Sequence, residues 1–190
     1  MELLTYDNHV FENVDYNGQV VRGTEFQDCT FKGCNLADSS FLQCKFLDCV
    51  FDGCNLSLTK LNGSTLSSVQ FKNCKILGVI FSDCQDMLFS PAFEGCMLDY
   101  SSFMGKKMVK TGFKRTSMKE VNFTRANISG SVFNDTDLMG AVFNQTDLSA
   151  ANLANAYNYS IDPELNNLKK AVFSASGIYG LLEKYDIKIV

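Results

Sequence analysis

The amino-acid sequence predicts an all-β fold, a solenoid of square cross-section about eight coils tall, and three observations carry that expectation. Large apolar residues recur at every fifth position from Phe11 to Phe81 (Phe26, Phe31, Leu36, Phe41, Phe46 among them) and resume, shifted by two residues, from Phe93 to Leu153. From Cys29 onward the residue two places before each large one is small except at Lys106: Cys29, Cys34, Ser39, Cys44, Cys49, Cys54 and Thr59 in one run, Ala126, Ser131, Thr136 and Ala141 in another. A period of five matches neither the 3.6 of a helix nor the 2 of an ordinary strand.

Each five-residue unit then reads as a short extended edge followed by a corner, with one large and one small side chain pointing inward. Four such units close a turn, so residues twenty apart stack at the strand spacing of ~4.8 Å. Phe31, Phe51 and Phe71 are expected to form one column, and Cys34, Cys54 and Cys74 another. All eight cysteines belong to the small class, so cysteine serves here as a compact apolar side chain. An interior filled in this way has no room for a substrate.

The stretch SDCQDMLFSPA, residues 82–92, breaks the phase and contains Pro91, which cannot donate to a ladder. A loop is expected there. Met87, Leu88 and Phe89 beside Asp83 and Asp86 put apolar groups among acids, a composition suited to partner contact. Past Leu153 the register returns once at Phe173, so residues 157–167 are expected to bulge from a final coil, with Asp162 as N-cap and Pro163 at a first helical position. Ser174 to Tyr185 carries Ile178, Leu181, Leu182 and Tyr185 at helical spacing, and Ile187, Ile189 and Val190 suggest a terminal strand. The expected organisation is one solenoid over residues 1–173 and a capping element over 174–190. Ile178, Leu181, Leu182, Tyr185 and Ile187 make that cap apolar enough to join two copies in a twofold dimer.

Runs such as Cys54-Asn55-Leu56-Ser57-Leu58, Ala126-Asn127-Ile128-Ser129-Gly130 and Ala151-Asn152-Leu153-Ala154-Asn155 resemble the A(D/N)LXX unit of the pentapeptide-repeat family. That resemblance implies a right-handed quadrilateral β-helix. The tail, Tyr157-Asn158-Tyr159-Ser160-Ile161-Asp162-Pro163-Glu164 followed by Ala171-Val172-Phe173-Ser174 and Leu181-Leu182, is similar to the end of the microcin- and albicidin-immunity proteins and, more distantly, of the Qnr quinolone-resistance proteins. What these imply is a homodimer that binds DNA gyrase and possibly topoisomerase IV, imitates DNA with an acidic surface, and protects the enzyme from poisons.

Charge agrees in part. Residues 1–105 carry six basic and thirteen acidic side chains, which makes Glu25, Asp28, Asp38, Asp48 and Asp52 the candidates to meet a basic DNA-binding saddle. Residues 106–125 carry seven basic and one acidic, a belt of one coil, and within it Lys106 occupies a small inward position. The alternative reading is a scaffold or regulatory solenoid with another protein partner. Catalysis has no support: His9 is the one histidine, and no nucleophile elbow, phosphate loop or zinc-binding motif occurs. No cofactor, metal, nucleic acid, membrane or small-molecule substrate is expected. Asp135 and Asp137 read as solvated corner groups rather than an acid/base pair. The start, MELLTYDNHVFE, shows no basic segment leading an apolar run, so a cytoplasmic protein with reduced thiols is expected.

Overall fold

Short parallel strands of two or three residues, each separated by a corner, build the molecule. A computed structural model describes residues 4–188. The chain winds a square parallel solenoid of about eight turns, closed at its C-terminal end by one short helix, Tyr179–Leu182, with 3-10 turns on either side.

The four faces are defined by which large residues stack. Face A carries Tyr6, Phe26, Phe46 and Leu66 in a four-stranded ladder. Face B is the longest, a nine-stranded sheet from Val10–Glu12 to Val172–Phe173. It pairs Phe11 with Phe31, Phe51, Phe71, Phe93, Phe113 and Phe133 in succession. Face C is joined by single bridges such as Asp15 to Asn35 to Asn55, and face D begins with Val21 on Phe41. The step from Phe71 to Phe93 is the one place on face B where twenty becomes twenty-two.

The interior is an aromatic stack. Phe31 lies parallel to Phe51 at 4.5 Å between centroids, and Phe51 to Phe71 at 5.1 Å, while rings on adjacent faces such as Phe26 and Phe31 meet edge-on at 5.4 Å. Both arrangements suit the ring quadrupole. All eight cysteines are buried and free.

Their role corrects the sequence reading. The inward thiol of Cys34 donates to the carbonyl of Phe11 in the coil below at 3.2 Å, and Cys49, Cys54, Cys74 and Cys96 repeat the pattern on Phe26, Phe31, Phe51 and Phe71. Hydroxyls do the same elsewhere: Thr59 to Leu36 at 2.7 Å, Ser64 to Phe41 at 2.8 Å and Thr146 to Phe123 at 2.8 Å. The small position therefore favours Cys, Ser and Thr as donors as well as for their volume, because the carbonyl they meet is buried and prefers a partner.

Corners turn because the residue two after nearly every large one adopts a left-handed backbone. Asn8, Asn13, Asp28, Asp38 and Asp48 do so with φ between +49° and +56°, as do Gly18, Gly23, Gly33 and Gly53. Asn, Asp and Gly are the residue types that tolerate this region. At Gly33 a Cβ would also lie 2.6 Å from Asn13 Oδ1 in the coil below, so a larger residue there would require that side chain to move.

Candidate interaction site

The loop leaves face A at Gln85 and rejoins it at Ser90. The Gln85 N–H donates to Ser64 O at 2.8 Å, as its place in the stack requires, and the Ser90 N–H donates to Leu66 O at 2.9 Å. The repeat places Asp86 above Leu66, where a carboxylate in an apolar layer would be costly. Asp86 is instead turned out, Leu88 takes a left-handed backbone at φ +63°, and Phe89 swings in to fill the layer. Phe89 is 7% exposed and meets Phe81 edge-on at 6.4 Å. The expectation that Phe89 contacts a partner is thus corrected: with Asp86 expelled, this side chain is the one that completes the core. Asp83 also stands apart from the loop tip, in the 3-10 turn Phe81–Asp83, accepting from Asn62 Nδ2 at 2.7 Å.

Lys106 stands 22 residues beyond Cys84 and enters the same layer. It is 2% exposed, and its Nζ donates to Cys84 O at 2.5 Å and to Asp86 Oδ1 at 2.6 Å, 5.1 Å from the Phe89 ring centroid. Met87 and Leu88 are 76% and 64% exposed. They line an open groove of about 490 Å³ with Lys45, Leu47 and Thr65 of face A and the corner residue Gln43.

The acidic candidates do not form one surface. Asp28 and Asp48, twenty apart, stack at the corner between faces A and B, with Glu25 beside them on face A and Asp52 on face B. Asp38 follows Leu36 of face C and lies at the diagonally opposite corner. Some of the charge is already matched, since Glu25 pairs with Lys45 at 2.9 Å. Part of the basic belt is matched too. Lys114 and Arg115 both reach Glu94, at 3.1 and 2.8 Å, and hold its carboxyl below the usual range; Lys119 lies 3.5 Å from Asp137. Asp137 also accepts from the Met139 N–H at 3.2 Å, and Asp135 is a left-handed corner residue.

Family comparison decides the lineage of this architecture. A model of the pentapeptide repeat region matches residues 24–103, and a model of eight copies of the repeat matches 113–156, together well over half of the chain. The chain belongs to the pentapeptide-repeat family. Among solved structures it is similar to two trypsin-treated variants of QnrB1, a plasmid-mediated fluoroquinolone resistance protein. One is matched at 16% identity and a TM-score of 0.68 over 99% of this chain and 98% of that one. The other is matched at 18% identity and 0.59 over the full length of both. No curated protein matches in sequence.

The pentapeptide-repeat tower ends in a cap that departs from two expectations. Residues 157–167 keep the twenty-residue register, with Asp137 bridged to Tyr157 and Asp147 to Asn167, so nothing is inserted there. The edge between those bridges is remade: Tyr159 and Ile161 turn inward, 5% and 1% exposed, and the Ile161 N–H donates to Gly180 O at 2.8 Å. No helix starts at Asp162; its carboxylate accepts from the Glu164 N–H at 2.9 Å and closes a turn, so Pro163 serves that turn. Gly177 and Gly180 press against Tyr159 too closely for any side chain. Lys184 binds Asp162 and Glu164 at 2.7 and 2.9 Å, which raises its own ammonium and lowers both carboxyls. The terminal strand is not formed at Ile187 and Lys188, while Ile189 and Val190 lie outside the described residues. Of the dimer candidates, Ile178, Tyr185 and Ile187 are exposed, and Leu181 and Leu182 are half-buried, Leu181 against the core.

Sequence reasoning missed two signals here that were readable: the Gly, Asn or Asp at many corners, and the donor character of the small position. Lys106 was visible as a misfit, but its partners were not.

Proposed function

We propose that this chain is a non-enzymatic, DNA-mimicking binder of DNA gyrase or topoisomerase IV. In this role it relieves inhibition by a topoisomerase poison such as a quinolone or a peptide toxin. The observation that carries the reading is the exposed pair Met87 and Leu88, raised from face A two coils beyond Asp48, which stacks on Asp28 with Glu25 beside it. Solenoids of this family are generally structural or binding proteins, and QnrB1, whose fold this chain shares, is a plasmid-mediated fluoroquinolone resistance protein. The tail motif, similar to the immunity proteins, adds support.

In this mechanism a stiff wall offers preorganised carboxylates to a groove that otherwise holds phosphates. The two apolar side chains of the loop then occupy a pocket near the cleavage complex and favour drug release. Two copies joined through Ile178, Tyr185 and Ile187 double that surface, and the protein acts in the cytoplasm with its target. The basic belt at Lys107 and Lys110 favours the second reading, a scaffold with another protein partner, since an imitation of DNA has no use for it.

The test is gyrase supercoiling with ciprofloxacin, with and without the protein and its Met87→Ser/Leu88→Ser variant. Rescue that the variant loses supports the whole reading. With gyrase from the native host, neither rescue nor inhibition over a wide concentration range leaves the scaffold. Rescue undiminished in the variant removes only the loop from the mechanism.

A further inference from the structure

We infer that Lys106 is a positioning residue for the loop: it clamps Asp86 and Phe89 from the coil beyond and so holds Met87 and Leu88 off the wall. The inference deepens the loop's role in the proposed function and rests on that reading only for the partner.

From Cys29 to Ala151, apart from Pro91 at the phase break, the small inward position is elsewhere filled by Cys, Ser, Thr, Ala or Val. A lysine is accommodated only where the neighbouring layer has lost a large side chain, and the layer of Asp86 is that place. The stem of Lys106 occupies the room, and the ammonium, 2% exposed, must then find acceptors inside. Every group that meets it belongs to residues 84–89. The base of the loop supplies the Cys84 carbonyl at 2.5 Å, the ascending arm the Asp86 carboxylate at 2.6 Å, and the descending arm the face of Phe89 at 5.1 Å. A single cation therefore ties both arms and the base together. The far end is tied by Ser90, whose hydroxyl accepts from the Ser68 N–H at 2.7 Å and donates to Leu88 O at 3.0 Å. Met87 lies between these tethers with its side chain 76% exposed. The clamp is one-sided toward solvent: Asp86 is 86% exposed and bonds Lys106 through Oδ1, which leaves its other oxygen turned outward as an oriented acceptor for a basic partner.

The test is cleavage by chymotrypsin, which cuts after Met, Leu and Phe and so reads residues 87–89. Lys106→Met keeps the stem and removes the charge. It is expected to raise the rate of cleavage at those residues by about tenfold or more, because the cut tracks the population of the open loop, while the far-UV spectrum and melting temperature of the tower hold. Asp86→Ala, a change at an exposed side chain that leaves core packing intact, is expected to give the same rise if Lys106→Met fails to fold. The double variant should open no further than Lys106→Met alone. Unchanged cleavage in both single variants overturns the clamp. So does cleavage that rises at every site together with a fall in melting temperature, the mark of a residue that only fills the core. The cleavage result judges the clamp and the supercoiling assay judges the partner, so either can fail alone. If the proposed function also holds, Lys106→Met weakens rescue about as much as Met87→Ser/Leu88→Ser does.

Discussion

Replacing Phe51 by Ala tests the stacked interior. The ring is 2% exposed, lies parallel to Phe31 at 4.5 Å and Phe71 at 5.1 Å, and meets Phe46 edge-on at 5.6 Å. Truncating a buried Phe to Ala costs about 3–5 kcal/mol when the site cannot collapse. Collapse is opposed here, because the rings above and below are held by ladder hydrogen bonds at fixed spacing and cannot move together. Each lost ring pair adds about 0.5–1.5 kcal/mol, so the upper part of the range, about 4–5 kcal/mol, is expected. For a chain of this size 1 kcal/mol corresponds to roughly 2–4 °C in Tm, which gives a fall of about 8–20 °C. Circular dichroism melting followed at two wavelengths, with calorimetry on the same samples, measures it. Val172→Ala, at a side chain 49% exposed on the same face, is the control and should shift Tm by about 2 °C or less. A Phe51→Ala melt within about 2 °C of the parent would refute the reasoning.

The remaining expectations concern the two ends and the thiols. Ile178→Asp is expected to give a monomer by light scattering at concentrations where the parent is a dimer; a variant that stays dimeric places the contact elsewhere. Burial pushes the Cys49 and Cys84 thiols up to about 12. All eight cysteines are buried, so none should react with iodoacetamide in the native protein at pH 8 and all eight should react after denaturation; labelling of the native chain would contradict the sealed core. Lys184 lowers Asp162 and Glu164 below their ordinary 3.8 and 4.5. Their contribution is present above those values and lost as pH falls through the lowered ones. In Lys184→Met the loss of stability between about pH 5 and pH 2 should be shallower than in the parent, and identical acid profiles would argue against the ion pairs.

The repeat and the inward positions were legible because the interior enforces them: a column with one layer per coil accepts a polar group at its large position only by breaking open. Phe31, Phe51 and Phe71 could be placed in one ladder from counting alone. The same counting bears on the charges. Asp28 and Asp48 differ by twenty and share a corner, whereas Asp38 differs from each by ten and must lie across the square. Charge summed along the chain hides this, since it discards the angle. The acids at these corners also have a conformational cause, the left-handed backbone that Asp tolerates. Lys106 and Phe89 were less readable because their surroundings depend on where within residues 82–92 the phase is lost. Composition marks such a break but does not locate it to one residue. The cap helix was legible from apolar spacing, while the terminal strand was not, because Ile187 and Lys188 have no ladder to join.

Angle and height along this tower are two readings of one residue count. Twenty residues advance one storey and return to the same side; five advance a quarter turn. The two extra residues at 85–90 are absorbed within one edge, so the faces above them keep their bearing, Phe93 over Phe71 and Phe113 over Phe93. The bearing of the loop relative to the C-terminal cap is therefore set by the number of residues between them modulo twenty. A lineage that gains or loses a whole coil keeps loop and cap on the same bearing and changes only their distance. One that gains or loses a single unit swings the cap through a right angle and, in a twofold pair, swings one loop relative to the other by twice that.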